Sequence, residues 1–209
     1  QIPGINQIQV HDSIGLSFSA ALRSILRQDP DVLLIGEIRD QETADIAVKF
    51  SMTGHLVFST VHANDAPSTI SRLLDLGIPP FLLGSSLNLI MAQRLVRTID
   101  SNEKEKDSPS NDQLQRLGIA ENANQITFYK GKSTQQNHNT GYKGRTAIHE
   151  ILEVNSSIRE MIFEGKSEFE IKDQAIKNGM TPLREAGIEK IKEGVSTVEE
   201  ILRATVENN

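Results

Sequence analysis

The residues that could do chemistry cluster at the ends of two apolar runs. Asp31-Val32-Leu33-Leu34-Ile35-Gly36-Glu37 is a leucine and β-branched run, preceded by Pro30, that ends on a carboxylate. Such a run predicts a strand buried on both faces and so a parallel sheet, whose strands deliver their C-terminal residues to the edge where ligands bind. A carboxylate placed there, Glu37, can hold Mg²⁺ through water or orient an attacking water, as the acidic residue of a Walker B strand does. It can equally cap the next helix or pair with Arg39. His55-Leu56-Val57-Phe58-Ser59-Thr60-Val61-His62 has the same pattern and carries Ser59, Thr60 and His62 towards the same edge. An imidazole at that place can hydrogen-bond a phosphate, or it can be a core histidine bonded to a nearby carbonyl. His55 starts the run, faces the opposite edge and reads as structural.

Arg23 and Arg27 stand four residues apart. On a helix they share a face and repel by a few tenths of a kcal/mol (about 0.3) unless an anion lies between them. That anion is either a phosphate, including one bound to a neighbouring subunit, or Asp29 and Asp31 folding back. Arg39 has the same two readings. Gly141-Tyr142-Lys143-Gly144-Arg145 flanks a cation with glycines, either a tight backbone that aims Arg145 or an ordinary turn. Met52, Met91, Met161 and Met180 sit at apolar positions and read as core fillers. No Gly-x-x-x-x-Gly-Lys-Ser/Thr occurs anywhere in the 209 residues, so the chain holds no P-loop to cradle phosphates.

Alternating strands and helices must position these groups. Ile5 to Val10 alternates weakly and suggests a short strand. Phe18, Leu22, Ile25 and Leu26 form a helical stripe within Leu16 to Gln28, closed by Pro30. Ala44, Ala47, Val48 and Ser51 give a second helix ending before Gly54. Pro67 to Leu76 predicts a third helix stopped by Gly77, and Pro80 to Thr98 a longer one. This order implies an open α/β sheet with helices on both faces. The stretches Ser101 to Asn111 and Ser133 to Thr140 are polar and read as loop. Short helices are expected from Tyr142 onward. The spacings Ser167-x-x-Glu170 and Ser196-x-x-Glu199, and the pair Thr181-Pro182, mark helix starts in an all-helical tail of about 55 residues.

Composition narrows the classes of function. Lys+Arg 22 against Asp+Glu 28 leaves a net charge of −6, which argues against a generally basic nucleic-acid binder. No apolar run approaches the ~20 residues that cross a bilayer, and no strongly basic amphipathic helix is evident, so membrane contact is expected only through a partner. With no cysteine there is neither a disulfide nor a thiolate metal site. The chain starts at Gln1 without a basic n-region or apolar h-region, and we read it as a fragment of a longer protein.

Taken in order, Ile2-Pro3-Gly4-Ile5-Asn6-Gln7-Ile8-Gln9-Val10, Ala21-Leu22-Arg23-Ser24-Ile25-Leu26-Arg27-Gln28-Asp29-Pro30-Asp31 and Gly36-Glu37-Ile38-Arg39-Asp40 closely resemble the type II secretion and type IV pilus assembly ATPases, the GspE/PilB-type traffic ATPases. Thr53-Gly54-His55 through Ala63-Asn64-Asp65 resembles that family's histidine box. Met91-Ala92-Gln93-Arg94-Leu95-Val96-Arg97 and Gly141-Tyr142-Lys143-Gly144-Arg145-Thr146 continue the match, which covers the whole chain.

The resemblance implies an α/β fold: a partial RecA-like P-loop NTPase sheet followed by a helical C-terminal subdomain. Residues 1–98 would be the C-terminal half of the ATPase core, 99–140 a variable polar loop and 141–209 the helical subdomain. It implies an Mg-ATP-hydrolysing motor subunit that powers type II secretion or type IV pilus assembly, active only with an upstream P-loop and inactive as this fragment. Glu37 would act on Mg²⁺ and the lytic water, and His62 would lie near the γ-phosphate. Arg23, Arg27, Arg39 and Arg145 would serve the nucleotide site or the subunit boundary. The implied partners are identical subunits in a hexameric ring and an inner-membrane platform protein, with no nucleic acid. The implied location is cytoplasmic, peripheral at the bacterial inner membrane. The family's secretion members carry two Cys-x-x-Cys pairs whose positions fall near Asp100 and Glu103, then Thr134 and Asn137, so no zinc is expected here and the 100–140 loop is expected to be mobile. A non-catalytic oligomerisation or regulatory module is the alternative reading, and a pilus retraction motor is a third.

Overall fold

The structure, a computed structural model, describes residues 2–205, which pack as two compact units interleaved along the chain. One unit takes the residues up to Ala63 with Ser68–Asn88 and Val154–Glu168. The other takes Asn64–Pro67, Leu89–Glu153 and the described residues from Phe169.

In the first unit, Ser17 caps helix α1 (Phe18–Leu26) by accepting from the Ala20 N–H. Strand β1 (Val32–Ile35) follows, then helix α2 (Gln41–Met52), whose N-cap Asp40 accepts from the Thr43 N–H at 2.8 Å. Strand β2 (Leu56–Ser59) pairs with β1 in parallel, from Val32 opposite Leu56 to Ile35 opposite Ser59. Leu33 and Ile35 are buried against Leu22 of α1 and Ala47 and Phe50 of α2. Helices α3 (Ala66–Asp75) and α4 (Pro80–Ser86) come next.

Two expectations change in this unit. The segment Ile5 to Val10 forms no strand, and Ile5 and Ile8 are exposed, so no apolar face of it is buried to hold it in a sheet. The β1–β2 sheet is parallel, yet only one of its faces is covered. Val32, Leu34, Leu56 and Phe58 are exposed on the other, Leu34 by 74%. Helices therefore do not cover both faces within the described residues.

The second unit is built on an antiparallel ribbon. Strand β3 (Leu89–Ile99) runs beside the later strand β6 (Tyr142–Glu153), from Leu89 opposite Glu153 to Ile99 opposite Tyr142. Pro80 to Thr98 is thus not one helix, and Tyr142 onward begins as a strand. The register shifts between Arg97 and Ile99, where Gly144 takes φ +85°. A glycine in the left-handed region at a register shift is the mark of a bulge, which re-aims neighbouring side chains.

Much of the stretch between these strands is built into regular elements, while Ser133 to Thr140 is loop as expected, with one 3-10 turn at Gln135–Asn137. Strand β4 (Lys104–Lys106) pairs with β5 (Tyr129–Gly131), and helix α5 (Asn111–Leu117) starts on a full Ser110–Gln113 capping box. Leu114, Leu117, Ile119 and Phe128 from this stretch enter a core with Val96, Ile148 and Ile201. Few apolar residues suffice because buried polar groups are satisfied locally. Asn137 Nδ2 donates to Asp100 Oδ2 and the Lys132 carbonyl, while its Oδ1 accepts from the Thr134 and Gly141 N–H groups.

Helix α6 (Ser156–Phe163) belongs to the first unit and α7 (Glu168–Lys177) largely to the second, followed by α8 (Leu183–Lys192) and α9 (Val198–Ala204). The N-cap of α9 is Thr197, one residue beyond the expected Ser196, and that of α8 is Pro182 rather than Thr181.

Candidate functional site

The parallel ladder ends at Ile35 and Ser59, and the chain delivers Glu37 and His62 just beyond it. Two bonds tie these strand ends together. Thr60 Oγ1 donates to the Gly36 carbonyl at 2.6 Å, and the Ile38 N–H donates to the Thr60 carbonyl at 2.9 Å. Glu37 lies between the two anchored residues. Its Oε1 pairs with Arg39 Nη2, and His62 Nε2 stands 3.3 Å from Oε2. Glu37 does not cap α2, a role that Asp40 fills, so of the structural alternatives the pairing with Arg39 is the one seen.

The two partners treat the carboxylate differently. The hydrogen bond from Arg39 holds the Glu37 carboxyl below the usual carboxylate range; burial opposes this, and the charges of Arg39 and His62 add to it. Oε1 is thereby occupied. Oε2 is buried facing His62 Nε2, 3.3 Å away, without a hydrogen bond of good geometry, so this side of the carboxylate is shared with the imidazole. His62 is no core histidine: its side chain is 88% exposed. His55 does pack structurally, stacked on Phe50 with ring centroids 3.9 Å apart and Nδ1 2.9 Å from Thr53 Oγ1.

The other arginines are distributed. Arg23 pairs with Glu42 on α2, a partner nineteen residues along the chain. Neither Asp29 nor Asp31 folds back onto it; Asp29 lies 3.7 Å from His55 instead. Arg27 Nη2 donates to Ser24 Oγ at 3.5 Å and makes no ion pair among the described residues. Arg145 belongs to the second unit, on the exposed side of β6 opposite Arg97, and makes no ion pair among the described residues. The structure thus brings Glu37, Arg39 and His62 together, leaves Arg23 and Arg27 of the same unit outside that cluster, and carries Arg145 on the other unit.

The fit of a metal can be judged from the donors. No group of three or more His, Asp or Glu among the described residues is placed to hold an ion. A single carboxylate acting through water suits Mg²⁺, which keeps most of its waters and binds through one or two carboxylates plus phosphates. A cavity of about 610 Å³ in the second unit is lined by Arg94, Glu150 and Arg184 among others and by no residue of this cluster. Its buried Glu150 is engaged structurally, accepting the N–H groups of Ala66 at 2.7 Å and Leu183 at 3.1 Å, which start α3 and α8.

Comparison with known proteins decides the family. The model of the Type II/IV secretion system protein family matches residues 1–203. The chain belongs to that family. Among its relatives, the type IV pilus assembly ATPase PilB of Myxococcus xanthus is 47% identical over 204 residues, covering 97% of this chain and 36% of that protein. The type II secretion system protein E of Xanthomonas campestris is 45% identical over 207 residues, covering 98% of this chain and 36% of that protein. The chain therefore spans about a third of the length of these two relatives. A crystal structure of the pilus retraction motor PilT with bound ADP superposes with a TM-score of 0.64 at 28% identity, covering 92% of this chain and 44% of that one. The Legionella pneumophila ATPase DotB superposes at 0.60 with 19% identity, covering 88% and 41%, and speaks for the fold alone. The fold is α/β, a partial RecA-like P-loop NTPase sheet with a helical C-terminal part.

Sequence reasoning missed two features of this family member. The Thr60 clasp was hidden because it depends on the register of β1 against β2, although Thr60 stood at the expected edge. A second is the buried Glu200, which accepts from the Arg97 N–H and Nε and from Arg203 Nε and Nη2. The only sequence signal for it was the helix-start spacing one residue earlier.

Proposed function

We propose that this chain is the Walker B and histidine-box portion of an Mg-ATP-hydrolysing motor subunit that powers type II secretion or type IV pilus assembly. The single observation that carries this is Glu37, an ionised carboxylate just beyond the end of a parallel strand, with one oxygen held by Arg39 and the other beside the exposed His62 imidazole. Residues 1–98 supply the later half of the core, 99–140 an insertion and 141–209 the C-terminal subdomain. An upstream P-loop binds the phosphates, and hydrolysis requires it.

In the reaction ATP + H₂O → ADP + phosphate, the bond from the γ-phosphorus to the bridging oxygen breaks as the water oxygen bonds to phosphorus. Glu37 Oε2 orients that water and accepts hydrogen bonds from it. Arg39 keeps the carboxylate in place and ionised. His62, exposed beside it, donates a hydrogen bond to a phosphate oxygen. Glu37 would hold Mg²⁺ through water, and the ion would supply charge stabilisation for the transferring phosphoryl group. Arg23, Arg27 and Arg145 act at subunit boundaries, where positioned cations stabilise the charge that spreads in the transition state. The assembly is a ring of identical subunits, six in number, working on an inner-membrane platform protein from the cytoplasmic side. No described helix is long and apolar enough to cross a membrane.

The test compares the 209-residue chain with the same chain extended upstream through its P-loop, by calorimetry with ATP and by phosphate release with Mg²⁺. Binding and turnover by the extended form alone are expected. A second reading, a non-catalytic module that docks a ring neighbour, draws on the bare apolar face of β1 and β2. It takes over if neither form turns over ATP.

A further inference from the structure

We propose that Thr60 is a positioning residue for Glu37: its hydroxyl ties the end of β2 to the end of β1 and so sets where the carboxylate stands. This rests on the role given to Glu37 above. The β1–β2 ladder stops at Ile35 and Ser59, leaving Glu37 beyond it. What continues the connection is the pair of bonds made by Thr60, from Oγ1 to the Gly36 carbonyl at 2.6 Å and from the Ile38 N–H to its own carbonyl at 2.9 Å. They straddle Glu37, one fixing the residue before it and the other the residue after. Two residues on from Thr60, His62 Nε2 comes within 3.3 Å of Glu37 Oε2, so the same clasp sets the spacing of both groups.

The bond from the hydroxyl is special because it depends on one side-chain atom. Thr60 and Gly36 are exposed, so water can replace that bond and its loss leaves the fold standing. Placement is a different matter, since a shift of about 1 Å in a group that orients a reactant can lower a rate by ~10²-fold. Valine keeps the branched shape of threonine and removes only the donor. Serine keeps the donor and removes only the methyl group.

The experiment measures kcat and KM for ATP, with melting temperature, on the full-length protein and its Thr60→Val, Thr60→Ser, Thr60→Ala and Glu37→Gln variants. Thr60→Val and Thr60→Ala are expected to lower kcat by about 10- to 100-fold, with KM within about threefold of the parent. Their melting temperatures stay within about 2 °C. Thr60→Ser recovers kcat to within about threefold. If Thr60→Val keeps parental kcat while Glu37→Gln is inactive, the positioning role is overturned and the reading of Glu37 survives. Equal losses in Thr60→Val and Thr60→Ser overturn it as well, because the methyl group and not the hydroxyl then matters. Parental turnover in Glu37→Gln overturns the reading of Glu37 and this inference with it.

Discussion

Glu200 has no exposed side-chain surface, yet it remains a carboxylate because two arginines converge on it. Burial pushes its pKa up, but hydrogen bonds from Arg203 and Arg97 outweigh that and bring it to about 2, from an ordinary 4.5. The folded value lies below the unfolded one, so between them the unfolded chain binds more protons. The stability Glu200 contributes is complete above pH 4.5 and is lost as pH falls towards about 2. Glu150 works in the opposite sense: burial raises its pKa despite the Ala66 and Leu183 N–H groups, so it lowers stability as pH rises above 4.5. Glu200→Gln should cost about 1–3 kcal/mol at neutral pH, because it removes a buried carboxylate that accepts hydrogen bonds from both Arg97 and Arg203, and should flatten the acid limb of stability against pH. Chemical denaturation across pH 2.5 to 6 (about four points) checks both. An acid limb of unchanged slope would remove Glu200 as its source. Arg23 belongs to the other extreme. Its pair with Glu42 is exposed on both sides and worth about 0–1 kcal/mol, so Arg23→Ala should shift stability by less than about 1 kcal/mol. A tenfold or greater (roughly) fall in turnover of the full-length protein is expected from the same change, and turnover at the parental rate would leave Arg23 a surface residue.

At the scale of elements, the buried Asn137 organises the segment between β3 and β6. It makes hydrogen bonds to residues on both of its sides, and Gly141 follows at φ +76° against Gly131, where a Cβ on Gly131 would meet the Gly141 carbonyl at 1.7 Å. Asn137→Ala orphans the Gly141 and Thr134 N–H groups and should cost about 2–3 kcal/mol. Hydrogen exchange should quicken first across residues 100–141; protection unchanged there would contradict the account. Such elements were hard to read in the sequence. Helices α1, α2 and α3 and strands β1 and β2 were legible because Pro30, Gly54 and Gly77 punctuate them and an apolar stripe or run fills each. Strand β3 was not. Ile90 and Val96 point inward, but Leu89, Met91 and Leu95 on the outer face are apolar too, so the period of two disappears. Of the site, Glu37 was legible because an apolar run ends on it, whereas the clasp of Thr60 and the partner of Arg23 exist only once the chain has folded.

For the whole molecule, the bare face of β1 and β2 is the leading feature. Parallel sheets are ordinarily covered on both faces, and Leu34 and Phe58 are exposed on this one. In the proposed reading the upstream segment covers it. Leu34→Lys should then leave the melting temperature of the 209-residue chain within about 2 °C, and lower that of the full-length protein by several times as much, because an unpaired ammonium is buried only there. Equal shifts in the two would show that the face stays bare.

The most direct test of the central claim is to measure ATP binding and phosphate release together in the full-length protein with Glu37→Gln. The account predicts that affinity for ATP stays within about threefold of the parent while steady-state phosphate release falls by ~10²-fold or more, since glutamine keeps the shape but loses the charge that orients water. Phosphate release within about threefold of the parent would contradict it and leave Glu37 as the ion-pair partner of Arg39 and nothing more.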